Sequence, residues 1–320
     1  MNYKKVVVAG GGVLGSQIAF QTAYCGFDVT IWLRSEGSVK RCLPKLETLK
    51  ENYIADINKM AEGGSFWAIG IADRETFNKD ECLKKVNDAF NNIKLVVDKK
   101  EAYKDADLVI ESMAEIEDEK IAYYKDLCQY LPEKTVVVTN SSTLLPSTFA
   151  KYTGRPEKYL SLHFANHIWR QNTAEVMAQP LTDSKYFDEI VEFANAIRMV
   201  ALPVLKEKNG YLLNSMLVPF LLSGMDLVAA GVSDPQSVDK AWTLGTGSPR
   251  GPFQIVDVVG LQTAYNIVSQ FLKVPSLFNP ILKKMMMPYN FKAMAKMLKD
   301  KIDKGETGIA AGKGFYDYKK

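Results

Sequence analysis

Two residue types that can transfer protons occur together in the segment 161–176, SLHFANHIWRQNTAEV. The chain contains two histidines, His163 and His167, and both lie in this segment. Histidine is the side chain whose charge changes nearest neutral pH, which suits it to general acid or base catalysis. Glu175 lies in the apolar run that follows, where a carboxylate needs a partner such as an imidazole. The residues alone are also compatible with a structural histidine and a glutamate on an edge strand.

Two predicted strands carry these side chains. Residues 161–164, SLHF, form a short apolar run typical of a buried strand, with His163 near its end. Residues 174–178, AEVMA, predict a second strand around Glu175. Because ligands of α/β proteins bind where strands end and loops begin, we expect His163 to lie close to a ligand crevice.

A glycine-rich loop near the N-terminus predicts a dinucleotide-binding unit. Val6–Ala9 predicts a buried parallel strand, and a helical spacing of apolar residues then continues to Gly26. The glycines between them permit a tight turn and let a pyrophosphate approach the helix N-terminus. The alternative is a glycine-rich turn of some other α/β domain. The loop residues expected to bind the cofactor are Gly10, Gly12, Val13, Leu14 and Gly15.

The second predicted strand, Val29–Leu33, ends without the acidic residue that usually binds a ribose 2′-hydroxyl. Arg34 follows it, and Glu36, the first acidic residue after it, is expected in a loop. A guanidinium in place of a carboxylate suits a 2′-phosphate, so the sequence favours NADP(H) over NAD(H). The alternative roles of Arg34 are stacking on the adenine and simple exposure to solvent.

Hydroxyl-bearing residues follow a later strand. Asp107–Glu111 and Val136–Thr139 predict two more parallel strands, with a helix over Glu117–Leu131 between them. The second of these strands leads into residues 140–143, Asn-Ser-Ser-Thr. Such residues lie in the ligand crevice of an open α/β sheet, although capping of a following turn is the alternative.

The composition indicates a globular protein of about two domains: of 320 residues, 47% are hydrophobic and 24% are charged. A net charge of +3 gives no reason to expect nucleic acid or a membrane surface as a partner. Four widely spaced cysteines and two histidines argue against a bound metal and favour a reducing compartment such as the cytoplasm. Glycines break the apolar run at the N-terminus, so a strand explains it better than a signal peptide. Nowhere does an apolar run reach the ~18 residues of a membrane span.

The character of the sequence changes after a last predicted strand, Met199–Leu205, and we place a domain boundary near Leu205. Residues 1–205 are expected to form an α/β domain of the Rossmann type, and residues 206–320 an all-helical domain. Asn214 lies early in the first helix of that domain, where it either satisfies a neighbour or reaches into a cleft. The predicted helices cover 210–231, 235–244 and a segment after Gly251-Pro252-Phe253.

Along nearly its whole length the chain resembles the L-3-hydroxyacyl-CoA dehydrogenase family, which includes lambda-crystallin-like and diketoreductase-type enzymes. The resemblance is carried by motifs in a fixed order, with a Glu twelve residues after the His of the HF-N motif. The motifs are VVVAGGGVLGSQIA, ESMAEIEDEK, TNSSTLLP, HFAN, GYLLNSMLVPFL, LGTGSPRGPFQIVDVVGL and GKGFYDY.

The resemblance implies a role for each matching residue. His163 would be the general base in oxidation of a hydroxyl and the acid in reduction, and Glu175 would hold its imidazole. Ser142 would bind the reacting oxygen, and Asn166 and Asn214 would place the substrate carbonyl and the imidazole.

The resemblance also places Glu115 and Lys120 at the nicotinamide end of the cofactor and implies a homodimer formed through the helical domain. The leading hypothesis is an NAD(P)-dependent 3-hydroxyacyl dehydrogenase that acts on a CoA thioester. A 3-hydroxy acid or diketo reductase that does not use CoA is the first alternative. A catalytically silent nucleotide-binding protein is the second, and the five matching site residues argue against it.

Three features depart from the family pattern. The acidic residue at the end of the second strand is absent, which puts the usual NAD preference in doubt. The loop after His163 contains His167, Trp169 and Arg170 in place of proline-rich apolar residues. Arg170 either pairs with a free carboxylate of the substrate or lies at the rim without contacting it. Finally, Lys-Asn-Gly replaces the usual Asp-x-Pro-Gly entry to the helical domain.

Overall fold

The computed structural model describes residues 3–272 and 289–319. The chain forms two compact units, Met1–Leu212 and Leu213–Lys320. None of the helices within the described residues is both long and apolar enough to cross a membrane.

The first unit ends after Leu212, slightly later than the boundary expected near Leu205. The reason is that the connection after the last strand packs back onto the sheet. Tyr211, at the end of this connection, is buried against Met177 and Val204. The side chain of Tyr211 therefore belongs to the first unit.

The first unit is built on a sheet of eight strands among the described residues. Its order is β3-β2-β1-β4-β5-β6-β7-β8, and adjacent strands are parallel except β6 and β7, which are antiparallel. The order reverses beside β1, so the carboxyl ends of β1 and β4 border the crevice where such sheets bind ligands. The strands are β1 Lys5–Ala9, β2 Asp28–Trp32, β3 Lys94–Val96, β4 Leu108–Glu111, β5 Val136–Thr139, β6 Tyr159–Phe164, β7 Thr173–Met177 and β8 Val200–Val204.

Helices connect these strands. Glu36, expected in a loop, instead opens the second helix, because the side chain of Ser35 accepts a hydrogen bond from Ser38 N–H and caps it. The helix predicted to reach Leu131 ends at Leu127. The helices of this unit are α1 Val13–Tyr24, α2 Glu36–Ala61, α3 Lys79–Asn92, α4 Lys99–Tyr103, α5 Glu117–Leu127, α6 Pro146–Phe149 and α7 Ser184–Ala196.

Both faces of the sheet are buried, which explains why its inner strands read as continuous apolar runs. In β1, Val6 and Val8 pack into the core on one face, and Val7 and Ala9 pack into the core on the other. The alternation follows from the two-residue period of a strand.

The second unit is helical in its described part, and the expected fold class is confirmed for both units. A carboxylate, Asp257, accepts hydrogen bonds from the N–H groups of Phe315 and Tyr316, which anchors the C-terminal segment. The helices are α8 Leu213–Ala229, α9 Pro235–Thr246, α10 Pro252–Val259, α11 Leu261–Leu272 and α12 Phe291–Ile302. Their apolar core includes Phe253, Val256, Leu261, Val268, Met294 and Leu298.

Candidate active site

The glycine loop between β1 and α1 has the geometry of a cradle for an anion. Gly10 has φ +116°, and a Cβ atom there would lie 2.6 Å from Ser112 O. A Cβ atom at Gly15 would lie 2.1 Å from Gly10 O, so the turn closes only with glycine at both positions. Gly12 caps α1 without a side-chain hydrogen bond, and a Cβ atom there would face open space. The N-terminus of α1 is therefore accessible to a pyrophosphate, which fits the expected dinucleotide.

A cleft beside this loop is rich in cations. Arg34, Ser38, Arg41 and Lys45 line it together with the glycines. Arg41 Nη2 donates to Ser38 Oγ at 2.9 Å, and Lys45 Nζ donates to Gly11 O at 3.2 Å. One carboxylate of the lining, Glu119, lies 3.5 Å from Arg34 Nη1. Three positive side chains against one carboxylate favour a ligand that carries phosphate.

The register of β6 and β7 brings the proposed proton carrier to its carboxylate. His163 lies opposite Glu175 in this antiparallel pair. Its Nδ1 is 2.8 Å from Glu175 Oε2, and its Nε2 is 3.0 Å from Ser142 Oγ. Since the carboxylate accepts from Nδ1–H, the neutral ring presents an unprotonated Nε2 to the serine hydroxyl. The arrangement can hold and release one proton at Nε2.

Glu115 organises the hydroxyl-bearing loop. Its carboxylate accepts hydrogen bonds from Ser141 Oγ and from the backbone N–H groups of Ser142 and Thr143. These bonds fix the backbone of Ser142 and so aim its Oγ at His163.

Comparison with family models decides the relationship. A model described as 3-hydroxyacyl-CoA dehydrogenase, NAD binding domain, matches residues 5–208. A second, described as 3-hydroxyacyl-CoA dehydrogenase, C-terminal domain, matches residues 210–318. The chain belongs to the 3-hydroxyacyl-CoA dehydrogenase family. The expected family is thus confirmed, and so is the expected enzyme class, an oxidoreductase acting on a CH–OH group.

Individual relatives match the chain over nearly its full length. A 3-hydroxybutyryl-CoA dehydrogenase from Clostridioides difficile is 29% identical, with 99% of this chain and 100% of the relative covered. The mitochondrial hydroxyacyl-coenzyme A dehydrogenase of Homo sapiens is 27% identical, and the match covers 99% of this chain and 91% of the human protein. A solved structure of a diketoreductase, described in terms of dual catalysis of dicarbonyl compounds, is 43% identical and has a TM-score of 0.82. The match covers 99% of this chain and 100% of the diketoreductase chain.

The other predicted site residues differ in their location and in their exposure to solvent. Asn166 is exposed in the loop after β6, and Asn214 lies in the first turn of α8, in the second unit. Val13 is 64% exposed at the start of α1, whereas Leu14 packs partly against the core.

Lys120, expected at the nicotinamide end, has no exposed surface. Its Nζ donates to Glu111 Oε1 at 2.6 Å and lies 3.8 Å from Glu115 Oε2. A buried ammonium needs such a partner. Lys120 is therefore held by carboxylates of the first unit, and it is not among the residues that line the cleft beside the glycine loop.

Arg170 has an intramolecular partner. Its Nε and Nη2 donate to the two carboxylate oxygens of Asp56 at 2.6 and 2.7 Å, and Trp169 Nε1 donates to the same group at 2.7 Å. The guanidinium is thereby engaged in a bidentate pair, which argues against the hypothesis that it binds a substrate carboxylate. Burial and the charge of Arg170 lower the pKa of the neighbouring His167, so the second histidine is neutral at pH 7.

Three residues that contribute to this site were not identified from the sequence: Asp56, Glu111 and Tyr211. Asp56 carried a usable signal, because it interrupts the buried face of α2 formed by Tyr53, Ile57 and Met60. Glu111 carried a weaker one, an acid at the end of an apolar strand. Tyr211 carried no local signal, and it matters because its ring stacks on the imidazole of His163.

Proposed function

We propose that the protein interconverts an L-3-hydroxyacyl-CoA and a 3-ketoacyl-CoA with NAD(P) as the redox partner. The observation that carries this proposal is the imidazole of His163, held between the carboxylate of Glu175 and the hydroxyl of Ser142. A buried proton carrier with one oriented nitrogen facing a hydroxyl group suits oxidation of an alcohol and reduction of a ketone.

Each side chain has a defined task in this proposal. Ser142 Oγ hydrogen-bonds the reacting oxygen, and His163 Nε2 takes its proton in oxidation or supplies it in reduction. Glu175 stabilises the imidazolium that forms, through its contact with Nδ1. Asn166 and Asn214 position the substrate carbonyl and the imidazole, as the family resemblance implies. A nicotinamide dinucleotide, when bound, would supply or accept the hydride, and the glycine loop would hold its pyrophosphate.

Diketo reduction without CoA is the second candidate function. The 43% identity to a diketoreductase over the whole chain favours it, since this exceeds the 29% identity to the 3-hydroxybutyryl-CoA dehydrogenase. Both candidates use the same proton relay and differ in what binds beyond the reacting carbon.

Initial rates distinguish the candidates. Under the first proposal, acetoacetyl-CoA is reduced with a higher kcat/KM than free acetoacetate or a 3,5-diketo ester. A higher kcat/KM for the diketo ester would establish the second candidate. Failure to reduce any of the three with either NADH or NADPH would favour a catalytically silent nucleotide-binding protein.

The three positively charged side chains that line the cleft, Arg34, Arg41 and Lys45, form a cation cluster. This cluster supports NADP(H) as the preferred cofactor. Arg34 and Arg41 line the cleft where β2 ends, the position at which a 2′-phosphate is recognised in this type of fold. Arg34→Asp is expected to weaken NADP(H) binding by about tenfold or more, because it removes a phosphate ligand and adds a like charge. NAD(H) affinity should change little, as measured by fluorescence titration of both reduced cofactors.

Lys40→Asp is the matched control, since it makes the same charge change on α2 at an exposed residue outside the cleft lining. It should leave the ratio of the two affinities unaltered. Equal changes of both affinities in Arg34→Asp would contradict the role given to Arg34.

A homodimer formed through the helical unit is the assembly that the family resemblance implies. Large apolar side chains are exposed on that unit, among them Trp242 at 41% and Leu244 at 83%. Light scattering on the purified protein tests this part of the proposal, and a mass of one chain would refute it.

A further inference from the structure

The aromatic ring of Tyr211 covers the face of the His163 imidazole. The two ring centroids are 4.4 Å apart and the planes differ by 10°, which is a parallel stack. Tyr211 is 1% exposed, so the stacked pair is shielded from water on that side. Contacts at its two nitrogens fix the imidazole within its plane, and Tyr211 limits its motion out of that plane.

Tyr211 and the next residue, Leu212, also contact the serine loop and the carboxylate of Glu175, which hold the histidine. The hydroxyl of Tyr211 donates to the carbonyl oxygen of Ser141 at 2.8 Å, next to the serine whose Oγ contacts His163. The backbone N–H of Leu212 donates to Glu175 Oε1 at 2.8 Å, while Oε2 of that carboxylate accepts from the imidazole. Two consecutive residues thereby contact the ring, the serine loop and the carboxylate.

The backbone of Tyr211 is in an unfavourable conformation for a tyrosine. Its φ is +51°, in the left-handed region, directly after Gly210 with φ +79°. A bulky residue adopts this region only when its surroundings overdetermine it, and such residues concentrate at functional sites. Burial raises the pKa of Tyr211, so its hydroxyl remains a neutral donor to Ser141.

We propose that Tyr211 is a positioning residue that fixes the His163 ring and favours its protonated form through the stacked aromatic face. The proposal rests on the proton-carrying role given to His163 above. A positive imidazolium is attracted to the electron-rich face of an aromatic ring, and an aliphatic side chain of similar volume lacks that face. Within the described residues, Glu175 and Ser142 also contact the ring, and the carboxylate of Glu115 accepts from the backbone of Ser142.

Tyr211→Leu is the decisive variant. It should lower the midpoint of the pH–rate profile for ketone reduction by about half a unit, because the protonated ring loses the aromatic face. Turnover at neutral pH should fall by roughly tenfold as the ring becomes less well fixed. Tyr211→Phe keeps the ring, so the midpoint should stay in place while loss of the bond to Ser141 lowers turnover by about two- to fivefold.

Tyr24→Leu is the matched control. Tyr24 is also buried and donates its hydroxyl to a backbone carbonyl, that of Ile71 at 3.2 Å. Its ring packs against Tyr53, and in the part of the chain that the structure describes neither contact involves His163, Glu175 or Ser142. Its replacement tests whether loss of any buried tyrosine of this unit alters the profile. We expect the midpoint to be unchanged in this variant.

Proton NMR of the full-length protein detects the stacking of Tyr211 on His163 without any need for catalytic turnover. The chain has two histidines, so His167→Asn assigns their signals. The ring protons of His163 should be shifted upfield by the stacked tyrosine in the wild type and in Tyr211→Phe, and their titration midpoint should fall in Tyr211→Leu. Absence of the upfield shift in the wild type, or identical midpoints in the two variants, would overturn the proposal, even if Tyr211→Leu folds too poorly for kinetics. Because this readout needs no substrate, it is independent of whether the proposed reaction is right.

Discussion

His163→Ala is expected to lower turnover by about two to four orders of magnitude, because the variant has no group to exchange a proton with the reacting oxygen. The affinity for the reduced cofactor should change little, since His163 is not among the described residues that line the cleft beside the glycine loop. Steady-state kinetics and fluorescence titration measure the two quantities separately.

His167→Asn is the control for this experiment, because it changes the other histidine and asparagine tolerates the left-handed φ of +58° found there. Its turnover should remain within a few-fold of the wild type. Activity of His163→Ala at a similar level would remove His163 from the mechanism.

Glu111→Ala is expected to lower the free energy of unfolding by about 3–5 kcal/mol, because it leaves the ammonium of Lys120 buried without its partner. Neither side chain of this ion pair is exposed. Glu111 also accepts hydrogen bonds from Tyr124, Thr139 and the N–H of Met113, which would lose their acceptor. Urea denaturation followed by fluorescence measures the change.

Asp105→Ala is the matched comparison, since it breaks an ion pair with Lys5 in which both side chains are about half exposed. Water solvates the remaining charge there, so the free energy of unfolding should barely change. Adding Lys120→Met to Glu111→Ala should recover much of the lost stability, because the unpaired charge is then gone. A loss in Glu111→Ala no larger than in Asp105→Ala would show that the buried pair contributes little.

Much of the fold could be predicted from local patterns. The strand Val136–Thr139 has the predicted bounds, and the helix predicted after Gly251-Pro252-Phe253 is present but begins slightly earlier, at Pro252. The glycine loop lies between a strand and a helix as its spacing predicts, because the turn depends on residues that are neighbours in sequence. The family could likewise be recognised from the sequence, since its motifs extend along nearly the whole chain.

Pairings between distant residues were decided by the tertiary structure. The sequence indicated that Glu175 needs a partner, but the antiparallel register of β6 and β7 places it opposite His163. Arg170 pairs with Asp56, which is 114 residues away, and this favours the alternative in which Arg170 does not contact a substrate carboxylate.

The sequence by itself determined the two-part architecture through local spacing and composition. It also determined the family and the residue types of the proposed proton relay, through motifs in a fixed order along the chain. Only the tertiary structure decided which charges are buried together and which ring lies over the histidine. Lys120 pairs with Glu111 inside the unit, and Tyr211 reaches His163 from a segment that follows the last strand. Such contacts depend on how helices, strands and connections pack in space, and no local pattern encodes that packing.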